Sequence, residues 1–166
     1  MSEPDLAVVA VDLGDPSHQR SLVELLDEYA RDPMGGGEPL SPFARSRLVA
    51  ALRGHPTYTG FLAFEGARAV GLVNAFFGFS TFAARPLLNI HDLVVHRDAR
   101  RRGVARRLLD SVEELARDRG CCKLTLEVLS GNAPARAAYD AAGFRSYALD
   151  PAMGEALFLE KKLPQH

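Results

Sequence analysis

The densest run of residues able to do chemistry is Ile90-His91-Asp92-Leu93-Val94-Val95, leading through His96-Arg97-Asp98-Ala99 into Arg100-Arg101-Arg102-Gly103-Val104-Ala105. The apolar stretch reads as a buried strand, the arginine-glycine stretch as a turn, and the residues after Gly103 as a helix. Free N–H groups at a helix start, the positive end of its dipole and mobile arginines then meet at one point, a setting that suits a pyrophosphate. Gly103 keeps side-chain bulk away from those amides, and small Ala105 serves the same closeness. Arg97, Arg100, Arg101, Arg102, Arg106 and Arg107 stand against Asp98 alone, a local +5; since the whole chain carries −1, the remainder carries −6. So confined a field argues for a small anionic partner. A nucleic-acid-coating surface tilts a whole domain basic and interleaves aromatics for stacking, so no nucleic-acid partner is expected. The competing reading of this stretch is a solvated arginine face on an ordinary helix start.

The elements that must position these residues follow from periodicity. Leu6 to Val11 alternates like a strand, and Asp15-Pro16 opens a helix with Leu22, Leu25, Leu26 and Tyr29 on one face. Asp32 to Pro39 reads as a mobile loop, and Ser41-Pro42 starts a second helix with Leu48, Val49 and Leu52 inward. Tyr58 to Phe64 and Arg68 to Phe79 form a hairpin about Glu65-Gly66-Ala67, and Leu87 to Val95 is a further strand. A helix runs from Gly103 to Gly120, with Glu113 and Arg117 as an outward pair. Leu124 to Val128 is a strand, Ala133 to Ala142 a helix ended by Gly143, and Gly154 to Lys161 contains the last strand. Hairpins mixed with strand-helix-strand units imply an α/β chain with a mixed sheet and helices on both faces.

With 166 residues, 47% hydrophobic and 25% charged, the chain is expected to form a single domain over 1–166 with one core, not a disordered polymer. No apolar run is long enough for a membrane span, and Met1-Ser2-Glu3-Pro4-Asp5 lacks the regions of a signal peptide. A cytoplasmic protein with no membrane partner is expected. Cys121 and Cys122 are adjacent, which suits neither a disulfide framework nor a zinc site and fits a reducing compartment. His18, His55, His96 and His166 lack metal-ligand spacing, so no metal is expected.

Arg100-x-x-Gly103-x-Ala105 resembles the acyl-coenzyme A pyrophosphate loop of the GNAT superfamily of N-acetyltransferases, with Val95 eight residues before the glycine. Asn132-x-x-Ala135-x-x-x-Tyr139-x-x-x-Gly143-Phe144 is similar to that family's second coenzyme A motif. Arg101 stands where glycine is common in the family, and Ala105 where it is commoner still. The resemblance implies a mostly antiparallel central sheet of about 6–7 strands whose two central strands, ending at Val95 and near Val128, splay apart around the pantetheine of acetyl-CoA. It assigns main-chain contacts to Leu93, Val94 and Val95, the pyrophosphate to the turn containing Arg100, Arg101, Arg102, Gly103, Val104, Ala105 and Arg106, and a pantetheine or acyl contact to Asn132.

The reaction so implied is attack of a small-molecule or peptide amine on the acetyl thioester. An alkylammonium titrates near 10, so a base must take a proton, and an acid aids the departing thiolate. The resemblance points the Tyr139 hydroxyl at the sulfur; a tyrosine simply packed on its helix is the alternative. The oxyanion would meet a backbone N–H near Val94. His91, read on the strand face of Leu93 and Val95, is a candidate base because histidine titrates near working pH. Asp92 on the opposite face, Glu127 on the neighbouring strand and a water chain are contenders. Asp27, Glu28, Asp32 and Glu38 cluster around the loop and would favour a cationic amine if they line the entrance. Phe76, Phe77, Phe79 and Phe82 would widen a pocket, pack the core or form a dimer contact. Cys121 and Cys122, remote from the thioester, disfavour an acyl-cysteine intermediate. The resemblance carries a homodimer as a family-level expectation. The rival from another class is a non-catalytic acyl-CoA-binding sensor module.

Overall fold

Leu6–Ala10 (β1) lies antiparallel to Tyr58–Glu65 (β2) in a computed structural model that describes residues 5–165. The start Met1 to Pro4 and His166, both used in the expectations above, lie outside the described residues. Between these strands, Pro16–Arg31 (α1) begins where the Asp15 carboxylate accepts from the Ser17 N–H, and Pro42–Arg53 (α2) where the Ser41 hydroxyl accepts from Ala44. Each cap satisfies an orphan amide, and proline at the first helical position loses no bond. Arg68–Ser80 (β3) and Arg85–Val95 (β4) extend the antiparallel sheet. Val104–Asp118 (α3) returns the chain to Leu124–Leu126 (β5), which joins β4 in parallel, and Ala133–Ala141 (α4) follows. The sheet order is β1-β2-β3-β4-β5.

Both faces are covered. Val73, Ala75, Leu88 and Ile90 bury against Val104, Leu108 and Val112 of α3. Leu62, Leu72 and Val94 bury against Leu22 and Leu25 of α1 and Leu52 of α2. Each fully buried leucine contributes on the order of 1.5–3 kcal/mol of transfer free energy, so the two layers clamp β4 from both sides. Gly71 shows how closely α3 approaches: a Cβ there would stand 2.7 Å from Val104 Cγ1 and 2.9 Å from Leu108 Cδ1.

Three expectations need correcting. The sheet has five strands among the described residues, not six or seven. Gly154 to Lys161 forms no strand, and β5 ends at Leu126 rather than Val128. A strand is defined by its partner, and the apolar pattern of 154–161 has no partner within this chain's described residues. Among those residues no helix is long and apolar enough to cross a membrane.

Candidate active site

The β4–β5 ladder consists of Leu88 with Leu124, Asn89 with Thr125 and Ile90 with Leu126, and there it stops. Asn89 Nδ2 donates to Thr125 Oγ1 at 2.9 Å, closing the root of the divergence. β4 runs on to Val95 with β3 alone beside it, so an opening begins at His91. The His96 N–H donates to the Val70 carbonyl, and antiparallel pairs alternate. Val94, two residues back and opposite Leu72, therefore turns its N–H and C=O to β3, while Leu93 and Val95 turn theirs to the opening. Consistent with this, Arg100 Nε reaches the Val95 carbonyl at 3.4 Å. Of the three main-chain candidates the structure thus brings two to the opening and gives Val94 to the sheet.

A register shift between Asn74 and Ala75 of β3 leaves His91 as the extra residue of a bulge. A bulge resets the alternation. Leu93 and Val95 face α3, whereas the His91 ring stands edge-on to Phe76, 5.5 Å away, on the α1 side. His91 therefore does not share the face of Leu93 and Val95. Asp92 does not oppose it either, because it too lies on the α1 side, where its carboxylate accepts from Asn74 Nδ2 at 3.0 Å. Asn74 Oδ1 in turn accepts from the Tyr58 hydroxyl at 2.9 Å. Asn74 is buried, and burial, then the nearby Asp92 charge, push the Tyr58 phenol well up. This relay escaped the sequence reading; the available signal was an asparagine inside the apolar run from Val70 to Phe77.

Across the opening, α4 presents a half-buried Tyr139 against Phe144, with ring centres 5.8 Å apart. Burial, then neighbouring Tyr29 of α1, push its phenol up to about 12. Asn132 caps α4, its Oδ1 accepting from the Ala135 N–H at 3.3 Å, which leaves its NH₂ as the group free for a ligand. Glu127 is exposed one residue past the last β4–β5 pair, across from His91.

At the far end of β4 a 3-10 turn, Arg97–Ala99, leads to the start of α3. Arg101 (φ 60°) and Gly103 (φ 79°) are both left-handed, so glycine is the natural occupant of each and Arg101 carries strain. No side chain caps α3, and the N–H groups of Gly103, Val104, Ala105 and Arg106 have no partner among the described residues. The arginines converge less than expected. Arg100 pairs with Asp32, Arg102 with Glu65 at 2.7 Å and Arg106 with Asp110, while Arg107 reaches the Leu6 carbonyl. Arg101 is left without such a partner among the described residues.

The acidic cluster is likewise occupied. Buried Asp27 accepts from Arg31, Arg45 and the Leu40 N–H; burial alone would raise its carboxyl, but these bonds outweigh it and hold the group below the ordinary range. Glu28 faces His96 at 3.3 Å. A cleft of about 500 Å³ lies here, between α1, Arg45, Arg97 and Arg100, and its walls are largely these ion pairs. The loop expected to be mobile is pinned by Gly35 and Gly37 N–H groups donating to the Asp32 carbonyl. Among the described residues no group of three or more His, Cys, Asp or Glu could hold a metal ion.

Residues 21–144 match the Acetyltransferase (GNAT) family. The chain belongs to that family. A thialysine N-epsilon-acetyltransferase of Caenorhabditis elegans is 36% identical over 125 residues, which are 75% of this chain and 76% of the relative. Two solved structures resemble the GNAT fold seen here. An aminoglycoside acetyltransferase from an uncultured soil metagenomic sample has a TM-score of 0.73 at 22% identity, covering 96% of this chain and 99% of its own. A ribosomal-protein-alanine N-acetyltransferase from Brucella melitensis biovar Abortus 2308 has a TM-score of 0.67 at 19% identity, covering 87% and 98%. This GNAT chain is an acetyltransferase, and the opening beside β4, with unpartnered amides at one end and Tyr139 and Asp92 at the other, is its candidate active site.

Proposed function

We propose that the protein transfers the acetyl group of acetyl-CoA to a primary alkylamine by direct attack in a ternary complex. The observation that carries this reading is the outward main chain of Leu93 and Val95, continuing into the unpartnered N–H groups from Gly103 to Arg106. An open strand edge binds the pantetheine amides as it would a further strand, and the diphosphate meets the α3 N-terminus with Arg101 as its free countercharge. Asn132, through its NH₂, contacts the pantetheine. The Leu93 N–H then donates to the thioester oxygen and holds the oxyanion.

The acceptor arrives as an ammonium, drawn by Asp92, whose orientation is set by Asn74, and by Glu127 across the opening. His91 takes its proton directly or through a water. The C–N bond forms, the C–S bond breaks, and the Tyr139 O–H donates to the departing sulfur while the acylated nitrogen sheds the replacement proton. Because Tyr139 is pushed up to about 12, its hydroxyl stays protonated throughout the working range. An acyl-cysteine detour is disfavoured: burial, then Cys122, push the Cys121 thiol up, so its thiolate is scarce. The name of the nematode relative favours an amine at the end of an amino-acid-like side chain as acceptor. The two free thiols suit operation in the reducing cytoplasm.

Thiol release from acetyl-CoA over a panel of thialysine, lysine, diamines and aminoglycosides tests this. Turnover with the small alkylamines is expected. Calorimetric binding of coenzyme A with no release from any amine would favour the non-catalytic sensor, and the absence of both binding and release would overturn the reading altogether.

A further inference from the structure

Among the described residues, Asp15, Asp27, Glu28, Asp32, Glu65 and Glu113 are at least partly buried, and each faces a histidine or an arginine. Asp92 is partly buried too, yet no described cation stands within ion-pair distance of it. A charge withdrawn from water is costly unless it is paired. What Asp92 has instead is the Asn74 amide, a donor without charge, which engages Oδ2 and leaves Oδ1 with no partner among the described residues. An arginine orients a carboxylate and cancels its field, whereas an amide orients it and leaves the field intact.

The relay behind Asp92 has a fixed direction. An ionised carboxylate only accepts, so Asn74 turns its NH₂ to Asp92 and its Oδ1 to β2, where the Tyr58 hydroxyl donates. Burial, then the Asp92 charge, keep that phenol protonated far above neutral pH. The chain makes room for this hydroxyl. Tyr58 lies along its own strand over Gly60, the register partner of Asn74, and a Cβ at Gly60 would stand 2.6 Å from the Tyr58 oxygen. The Phe76 ring centre lies 5.6 Å from that of Tyr58 and 5.5 Å from that of His91, so one side chain braces both the relay and the candidate base. Asn74 is 3% exposed, too deep to meet an acceptor itself. Asp92 can meet one, and its charge reaches Tyr29 of α1, whose phenol is raised by burial first and by Asp92 next.

We propose that Tyr58, acting through Asn74, is a positioning residue that fixes the Asp92 carboxylate while leaving its whole charge to a cationic acceptor, a role that rests on the acetyl-transfer reading above. The acceptor ammonium supplies the cation that the fold withholds, and it meets a carboxylate already held in place. The same device lets the site tell an ammonium from a neutral group of equal size, because only the cation completes the pair.

Steady-state kinetics of the full chain, with acetyl-CoA and the alkylamine turned over fastest in the panel above, test the relay. Asn74→Leu is expected to raise the KM for the amine about ten-fold and Tyr58→Phe about three-fold, each leaving the KM for acetyl-CoA within about two-fold of the parent. In an Asp92→Asn background, which keeps an acceptor for Asn74 but removes the charge, neither substitution is expected to raise the amine KM further. A merely structural role would move both KM values and would persist in that background. An unmoved amine KM in both single variants overturns the proposal, and so do effects that add to that of Asp92→Asn. Tyr58→Phe removes only a hydroxyl, so its cycle decides even if Asn74→Leu fails to fold. A parent protein that releases no thiol with any amine overturns the acetyl-transfer reading and the relay's role with it, whereas parent turnover with indifferent variants overturns the relay alone.

Discussion

The two halves of β4 are similar in composition and differ in company. Arg85 to Ile90 has β3 on one side and, from Leu88, β5 on the other, whereas His91 to Val95 has β3 alone. Leu88 and Ile90 in the first half are almost completely buried, while His91 is exposed and Leu93 and Val95 hold main-chain groups toward open space. Backbone donors and acceptors are ordinarily satisfied within a sheet, so a central strand that withholds them has reserved them for something else. On the proposed function the first half works for stability and the second for binding, and the bulge at His91 marks the border.

Substitutions on the two sides should accordingly separate stability from turnover. Ile90→Ala, in the paired half, is expected to cost about 2–5 kcal/mol in urea unfolding while the remaining folded protein keeps its kcat. A collapse of kcat with unchanged stability would erase the distinction between the halves. Tyr139→Phe, across the unpaired half, should lower kcat by about 100-fold, on the order of 2.7 kcal/mol, and leave the KM for acetyl-CoA nearly as it was. Equal rates in variant and parent would remove the hydroxyl from the chemistry. His91→Ala should flatten the acidic limb of the kcat/KM profile, with stability unchanged within about 0.5 kcal/mol because the ring is exposed. An unaltered limb would pass the base role to water or Glu127.

The smallest effect concerns alkaline stability. The folded Tyr139 phenol keeps its proton up to about 12, and an unfolded one releases it near 10. The stability linked to that difference is complete below pH 10 and is lost as pH rises through the folded value. Thermal unfolding across this range should show Tyr139→Phe falling less steeply than the parent; parallel curves would mean the phenol is not buried as described.

Much of the local structure around the candidate site was legible in the sequence. The Arg100 to Ala105 turn and the Asn132 to Phe144 stretch are local patterns, and the helices begin at the caps Asp15, Ser41 and Asn132 because a cap depends on residues only two or three positions away. What escaped depends on a second strand or on folding at a distance. The face of His91 was misread because the bulge is a relation between β4 and β3, and the unused N–H of Val94 is decided by the same pairing. The Tyr58–Asn74–Asp92 relay joins three strands, and the acidic cluster is engaged by Arg45 and His96 from elsewhere in the chain.

Sequence by itself determined the helix starts, the glycine turn before α3, the place of Tyr139 on α4 and the α/β class, since each rests on spacing along one segment. Tertiary structure alone decided which amides of β4 remain open, which side His91 and Asp92 occupy, and that the stretch after α4 pairs with no strand among the described residues. Strand pairing couples residues far apart in sequence, and a one-residue shift in that pairing reverses the direction of every group that follows.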